Sequence, residues 1–454
     1  MPGIAPWLTG ESSFTRFERT KKRKCETGGN VPAGADVVYT FRGFAVAFAL
    51  LALAGSARAD MGSRLSLARL LYPIPNLDQL NSQLHGKVID FTHNHGADKR
   101  FWSEALCEKR DMYVYVPPCY DPRQPYPLII LFHGFLQDEV PILQFASVLD
   151  EAIYKGEMPP VIVAVPDGSI RGQPSFLYAG SFYVNSKAGR FEDYIMQDVW
   201  SFLHRRFCIR PEREAHVLAG GSMGGFGAYN LAIKYRDRIG VVVGLLPPLN
   251  LRYMNCHHRY FSQFDPNCFG WQEHFRPLKP VARYYHVIPV RERRLTVPLY
   301  GHFTDQMAEV SRQNPVEMLF SYDVQPGELE MFIGYVGHDE FNIGAQVESF
   351  LYFARMRCLE VTVVFHPEGH HKMSSAISFK PELIDWIRPR LAPYAPGWCC
   401  TPSQLPDSTP ISPAPVADAS NQVATPLCWT PTTVSPAASS KSLRQWLRHH
   451  LSLK

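Results

Sequence analysis

The chain predicts an α/β fold, a doubly wound and mostly parallel sheet with an insertion between the sixth and seventh core strands. Three observations predict it. Short continuous apolar runs, Leu128–Phe132, Val161–Val165 and Ile239–Leu246, have strand length and are apolar at every position, as strands buried on both faces must be. Between them lie stretches of helical periodicity, such as 191–207 with Phe191, Tyr194, Ile195, Val199, Phe202 and Leu203 on one face, and strands that alternate with helices build a parallel sheet. The third observation is His216–Ala232, HVLAGGSMGGFGAYNLA, which passes from strand pattern to helix pattern through Gly220-x-Ser222-x-Gly224.

The bulk properties leave room for one large domain with appendages. The 454 residues are 46% hydrophobic and 19% charged with a formal charge of +4, ordinary for a globular protein. No basic patch interleaves with aromatic residues, so no nucleic acid partner is expected. None of the ten cysteines falls in a C-x-x-C pair or a Cys/His array with zinc spacing, so no metal is expected.

Taken in order, residues 1–40 are polar and irregular and read as a disordered or mis-assigned N-terminus. Residues 41–59 hold Arg42, the apolar run Gly43–Leu53 and Ala57-Arg58-Ala59, the layout of a signal peptide cleaved after Ala59. The run is too short to span a bilayer, so the expectation is export, secreted or periplasmic, with no transmembrane segment. In that compartment Cys107–Cys119 and Cys256–Cys268 are plausible local bridges.

Residues 60–395 form the predicted domain. Its first part carries weak signals; His93-Asn94-His95 would put two rings on one face of a strand, but further ligands are missing nearby, and hydrogen-bonded or surface histidines are the simpler reading. Met112–Val116 alternates and stops at Pro117-Pro118, a strand. A helix is expected over 139–154. Strands at Met331–Val336 and Glu360–Phe365 flank a helix at 344–357, and Ile377–Leu391 closes the domain. Residues 249–327 interrupt this rhythm with aromatics, arginines, Cys256 and Cys268, and only patchy helix around Asp305–Leu319. An insertion there lies at the C-terminal edge of the sheet, where ligands bind in such folds, and is expected to act as a lid or pocket wall. Residues 396–440, dominated by Pro, Ser, Thr and Ala, predict a disordered linker. In 441–454, Leu443, Trp446, Leu447 and Leu451 share a helical face opposite basic residues, a short amphipathic tail.

The Gly220-x-Ser222-x-Gly224 pattern between strand and helix is that of a nucleophile elbow, which exposes a serine hydroxyl above a sheet. A serine is a poor nucleophile without a base, and the base must be oriented by an acid. In doubly wound hydrolases these follow in the order Ser, Asp/Glu, His, each after a strand. Asp339, with Glu340 as a neighbour able to replace it, follows one predicted strand, and His370-His371 follows the next. The spacing from Gly369 favours His371, with His370 as the rival base; His338 and His366 are weaker candidates at strand ends. For the oxyanion, Met223 at the helix start supplies one backbone N–H and the loop His133-Gly134-Phe135-Leu136 the other, through Phe135 with Leu136 close behind.

The segments L-F-H-G (131–134), G-S-F-Y-V-N-S (180–186), G-R-F-E-D-Y-I (189–195), A-G-G-S-M-G-G-F-G-A-Y (219–229) and D-E-F-N (339–342) together resemble the Putative esterase family, which includes esterase D, feruloyl esterases and the antigen 85 mycolyltransferases. The resemblance covers roughly 85–395 and implies an α/β-hydrolase fold, with Ser222 as nucleophile, Asp339 as acid and the base within 370–371. It implies a serine carboxylesterase needing no metal or organic cofactor, acting on a small-molecule, carbohydrate or lipid ester. The alternatives are an acyltransferase to a sugar or lipid hydroxyl and an inactive binding protein. The long 249–327 insertion and the doubled histidine depart from the family's pattern.

Overall fold

Along the apolar runs successive side chains point to opposite faces, and both faces are covered. Val217 and Ala219 pack into one hydrophobic cluster while Leu218 between them packs into the other, and Val241, Val243 and Val242 divide the same way. A computed structural model describes residues 73–172, 180–284, 288–301 and 306–397; the expected leader, the Pro-rich linker and the amphipathic tail lie outside the described residues. Eight strands form the central sheet: β1 (Lys87–Phe91), β2 (Met112–Val116), β3 (Leu128–Phe132), β4 (Ile162–Pro166), β5 (His216–Gly221), β6 (Val241–Leu245), β7 (Glu330–His338) and β8 (Thr362–His370). Their order is β1-β2-β4-β3-β5-β6-β7-β8. Only β2 runs against its neighbours; from β4 to β8 every pairing is parallel. This is the α/β-hydrolase fold, and the insertion falls between the sixth and seventh strands.

Two sets of helices cover the sheet. On one face lie α1 (Ala146–Tyr154) and α9 (Lys380–Leu391), preceded by the short α8 (Met373–Ser378). On the other lie α2, α3 (Met223–Lys234), α6 (Pro315–Ser321) and α7 (Ile343–Met356). Helix α2 runs from Phe191–Asp193 through a π-helical stretch, Tyr194–Val199, into Trp200–Arg206. Tyr194, Ile195 and Met196 are all fully buried, three successive residues that a regular helix would spread over most of its circumference.

The insertion holds two β-ribbons, Tyr253–Asn255 with Phe269–Trp271 and Pro280–Tyr284 with Ile288–Arg291, then α4 (Glu292–Tyr300), α5 (Gln306–Gln313) and α6. The Cys256–Cys268 bridge ties the loop that joins the strands of the first ribbon. Cys107, Cys119 and Cys358 are also disulfide-bonded. Among the described residues no helix is long and apolar enough to cross a membrane.

Two elements differ from the sequence expectation. Strand β1 pairs antiparallel at the sheet edge, although Lys87 and Asp90 break its apolar run; the side chain of Asn81 stands in for part of the missing neighbour, accepting from Val88 N at 2.8 Å and donating to Val88 O at 3.0 Å. Strand β8 continues past Pro367 to His370, because it is the outer strand and a register shift between Val336 and His338 absorbs the residue that cannot donate. Gly337 permits this approach: a Cβ there would lie 2.1 Å from Pro367 O.

Candidate active site

The elbow forms because three backbones approach too closely for side chains. A Cβ on Gly220 would lie 2.3 Å from the carbonyl carbon of Gly224, and one on Gly224 would lie 2.2 Å from Phe132 O. Between them Ser222 takes φ +53° and ψ −119°, a conformation costly for a non-glycine residue and held only by its surroundings. Its N–H donates to Leu245 O at 2.8 Å, and its hydroxyl stands at the start of α3.

The residues expected as acid and base follow the next two strands. Asp339 follows β7 and His371 follows β8, and the pairing of those strands brings the two loops side by side. Ser222 Oγ donates to His371 Nε2 at 2.7 Å. His371 Nδ1 donates to Asp339 Oδ2, also at 2.7 Å. The other carboxylate oxygen, Oδ1, accepts from Phe341 N at 2.8 Å and from Ile343 N at 3.4 Å, so the carboxylate is fixed on both sides. Burial opposes the imidazolium, yet the Asp339 carboxylate, by charge and hydrogen bond, with Glu340 behind it, holds the His371 pKa above its ordinary value.

The rival residues go elsewhere. His370 Nδ1 donates to Glu340 Oε1 at 3.0 Å and its side chain is 47% exposed. Glu340 Oε2 accepts from the backbone N–H of His371 at 2.8 Å, so Glu340 braces the histidine pair and does not contact the base's ring. Burial works against the ionised form of Glu340, but the His371 N–H and its other hydrogen bonds win and lower its pKa. His338 lies against Glu368 and His366 pairs with Ser378. His93 and His95 are in a loop, not on a strand, paired with Asp111 and with the Tyr113 hydroxyl.

Met223 opens α3, so its N–H is one of those a helix start leaves without an intrahelical partner. Phe135 lines the same hollow as Ser222 and Met223. Its loop is a tight turn: Gln137 N donates to Gly134 O at 3.3 Å, the Gln137 side chain accepts from Gly134 N at 2.8 Å, and Leu136 takes φ +63°. The residues anchoring this turn carried no sequence signal beyond the histidine of the H-G pair. His133 is buried; its Nδ1 donates to Gly134 O at 3.0 Å and its Nε2 accepts from Gly168 N at 2.8 Å. Tyr183 OH donates to His133 O at 3.1 Å. Asp167, next to Gly168, is fully buried and paired with the equally buried Arg110 at 2.9 Å. Burial alone would raise the Asp167 pKa, but the charge of Arg110 together with His133 and Ser169 outweighs it and pulls it down to about 2.

The insertion is fastened to the acid's loop. Tyr260 OH donates to Phe341 O at 2.6 Å, Asn342 Nδ2 to Tyr260 O at 2.7 Å, and Arg283 N to Glu340 O at 3.1 Å. Under it Lys279 Nζ donates to Gln272, and Gln272 Nε2 donates to Glu292 Oε1 at 2.6 Å. Among the described residues the one grouping with metal-ligand proximity is Cys256, His257 and Cys268, and its two sulfurs are consumed by the disulfide.

Fold and geometry define the class: an α/β-hydrolase with a serine, a histidine and an aspartate in hydrogen-bonded series at the C-terminal ends of three strands. Comparison with known proteins narrows it. The pattern of the family described as Putative esterase matches residues 103–339, and the chain belongs to that family. Two curated esterases from strains of Mycobacterium tuberculosis are each 28% identical over 243 residues, 52% of this chain and 46% of theirs; the match thus spans about half the length of those relatives. A solved ferulic acid esterase superposes with a TM-score of 0.50 at 14% identity, covering 68% of this chain and 99% of its own, a likeness of fold. The family match holds Phe135, Ser222, Met223 and Asp339 and ends before His371.

Proposed function

We propose that this chain is an exported serine carboxylesterase working through an acyl-enzyme. The observation that carries the reading is the unbroken series Ser222–His371–Asp339 with both hydrogen bonds at 2.7 Å. His371 Nε2 takes the Ser222 proton as Oγ attacks the ester carbonyl, and Asp339 keeps the other ring proton on Nδ1. The N–H groups of Met223 and Phe135 receive the developing oxyanion, and water then cleaves the acyl-enzyme. Family membership supports ester chemistry. Export rests on the 41–59 segment and agrees with the Cys256–Cys268 bridge.

A fluorophosphonate probe tests the reading. The folded protein should be labelled on Ser222, Ser222→Ala should abolish labelling and cut turnover on the order of a millionfold, and His371→Ala should do nearly the same. His370→Ala should stay within about tenfold of the parent, since that ring contacts Glu340 and solvent. A folded protein that takes no probe ends the proposal.

A further inference from the structure

Ser222 stands where two apolar compartments meet. The smaller, about 90 Å³, lies beneath the insertion between Phe182, Met223, Phe226, Val281 and Leu295. The larger, about 580 Å³, follows the α1/α9 face of the sheet between Leu131, Phe145, Leu149, Met373 and Ile384. Its size is that of a pocket for a sizeable ligand, whereas the smaller falls well below that range. His371 is part of the wall of the larger compartment and is not among the residues lining the smaller, although Phe135, Ser222 and Phe341 border both.

That asymmetry has a chemical meaning. The base that accepts the serine proton must hand it to the leaving oxygen, so the leaving group lies on the base's side. We propose that the larger groove binds the alcohol and the smaller compartment the acyl group, making the substrates short-acyl esters of long, apolar alcohols. This rests on the esterase reading above. In the acylation step the Ser222 Oγ–carbon bond forms as the serine proton passes to His371 Nε2; the bond from carbon to the alcohol oxygen breaks as Nε2 returns that proton, releasing a neutral alcohol.

The groove suits an alkyl chain in length and in lining. Its floor reaches Ile129, which pairs with Val217, five residues before Ser222. At about 3.3 Å per residue the path is on the order of 16 Å, room for roughly a dozen extended carbons. Val148 and Ile377 at its rim are 38% and 40% exposed, so a longer chain can run out into solvent. A sugar in the same place would leave hydroxyls facing Leu131, Leu149 and Ile384 without hydrogen-bond partners, a cost for each.

Two isomeric esters of identical composition test the assignment on the full chain: decyl butyrate, with the long chain in the alcohol, and butyl decanoate, with it in the acid. The kcat/KM for decyl butyrate should be higher by at least about tenfold. Ala376→Trp, which fills the groove, should remove most of that advantage while ethyl butyrate hydrolysis and fluorophosphonate labelling of Ser222 stay within about twofold; Ile377→Asp at the exposed rim gives the same readout should the tryptophan variant not fold. Equal rates for the isomers, a preference for butyl decanoate, or variants that slow all substrates alike overturn the assignment while leaving the esterase reading intact. Failure to label Ser222 together with no ethyl butyrate hydrolysis overturns both.

Discussion

Replacing Asp339 by Asn separates the role of this acid from that of its neighbour Glu340. The amide's orientation is dictated by the backbone: Oδ1 accepts from Phe341 N and Ile343 N, so the amide oxygen stays there and the NH₂ takes the place of Oδ2, facing His371 Nδ1 across 2.7 Å. Two donors cannot face each other, so the imidazole moves its proton to Nε2 and presents N–H to Ser222. The base is then lost although the shape of the site is kept. A wrong tautomer of this kind costs about four orders of magnitude in kcat, about 5 kcal/mol of barrier. In Glu340→Gln the amide oxygen can keep accepting from the His371 backbone N–H while the NH₂ faces His370 Nδ1, so chiefly the charge and the contact to His370 are lost, and the change should cost less than about tenfold. The assay is steady-state hydrolysis of a short-chain nitrophenyl ester, with the melting temperature of each variant checked to exclude unfolding. A loss below about thirtyfold for Asp339→Asn, or an equal loss for Glu340→Gln, would refute the reasoning.

Two further outcomes follow from the site. The proposed mechanism needs neutral His371, and the pKa of that ring in the folded protein is raised by Asp339 and Glu340 against the effect of burial; kcat/KM should therefore fall as pH drops, with a midpoint above the ordinary imidazole value of about 6.5, and Glu340→Gln should lower that midpoint. A parent midpoint at or below pH 6 contradicts this, and a kcat/KM profile over pH 5–9 decides. At the elbow, Gly220→Ala forces a Cβ to within 2.3 Å of the Gly224 backbone, whereas on Gly221 the nearest atom would be Leu245 O at 3.9 Å. Gly220→Ala should lose on the order of 2–4 kcal/mol in urea unfolding and most Ser222 labelling, and Gly221→Ala far less; equal losses refute the steric account.

Much of the sheet was legible in the chain because strands β3 to β6 are buried on both faces, and double burial writes itself as unbroken apolar runs. Edge strands escape that rule. Strand β1 keeps Lys87 and Asp90 and borrows a partner from the Asn81 side chain, and β8 runs through Pro367 by way of a register shift. The π-helical stretch in α2 was likewise invisible, since its buried Tyr194, Ile195 and Met196 read as part of an ordinary apolar stripe.

The order Ser222, Asp339, then a histidine at 370–371 is a property of the sequence alone, since each residue type follows a run with the pattern of a strand. Which histidine turns to the serine is not. Neighbouring side chains on extended backbone point in opposite directions, so the rings of His370 and His371 cannot both face Ser222, and the pairing of β8 against β7, with its shifted register, accompanies the outcome that His371 faces Ser222 while the His370 ring meets Glu340. The two compartments also belong to the tertiary structure. Their walls come from β3, α1, α8 and α9 on one side and from the insertion on the other, segments scattered along the chain whose apolar residues look, in sequence, like any other core.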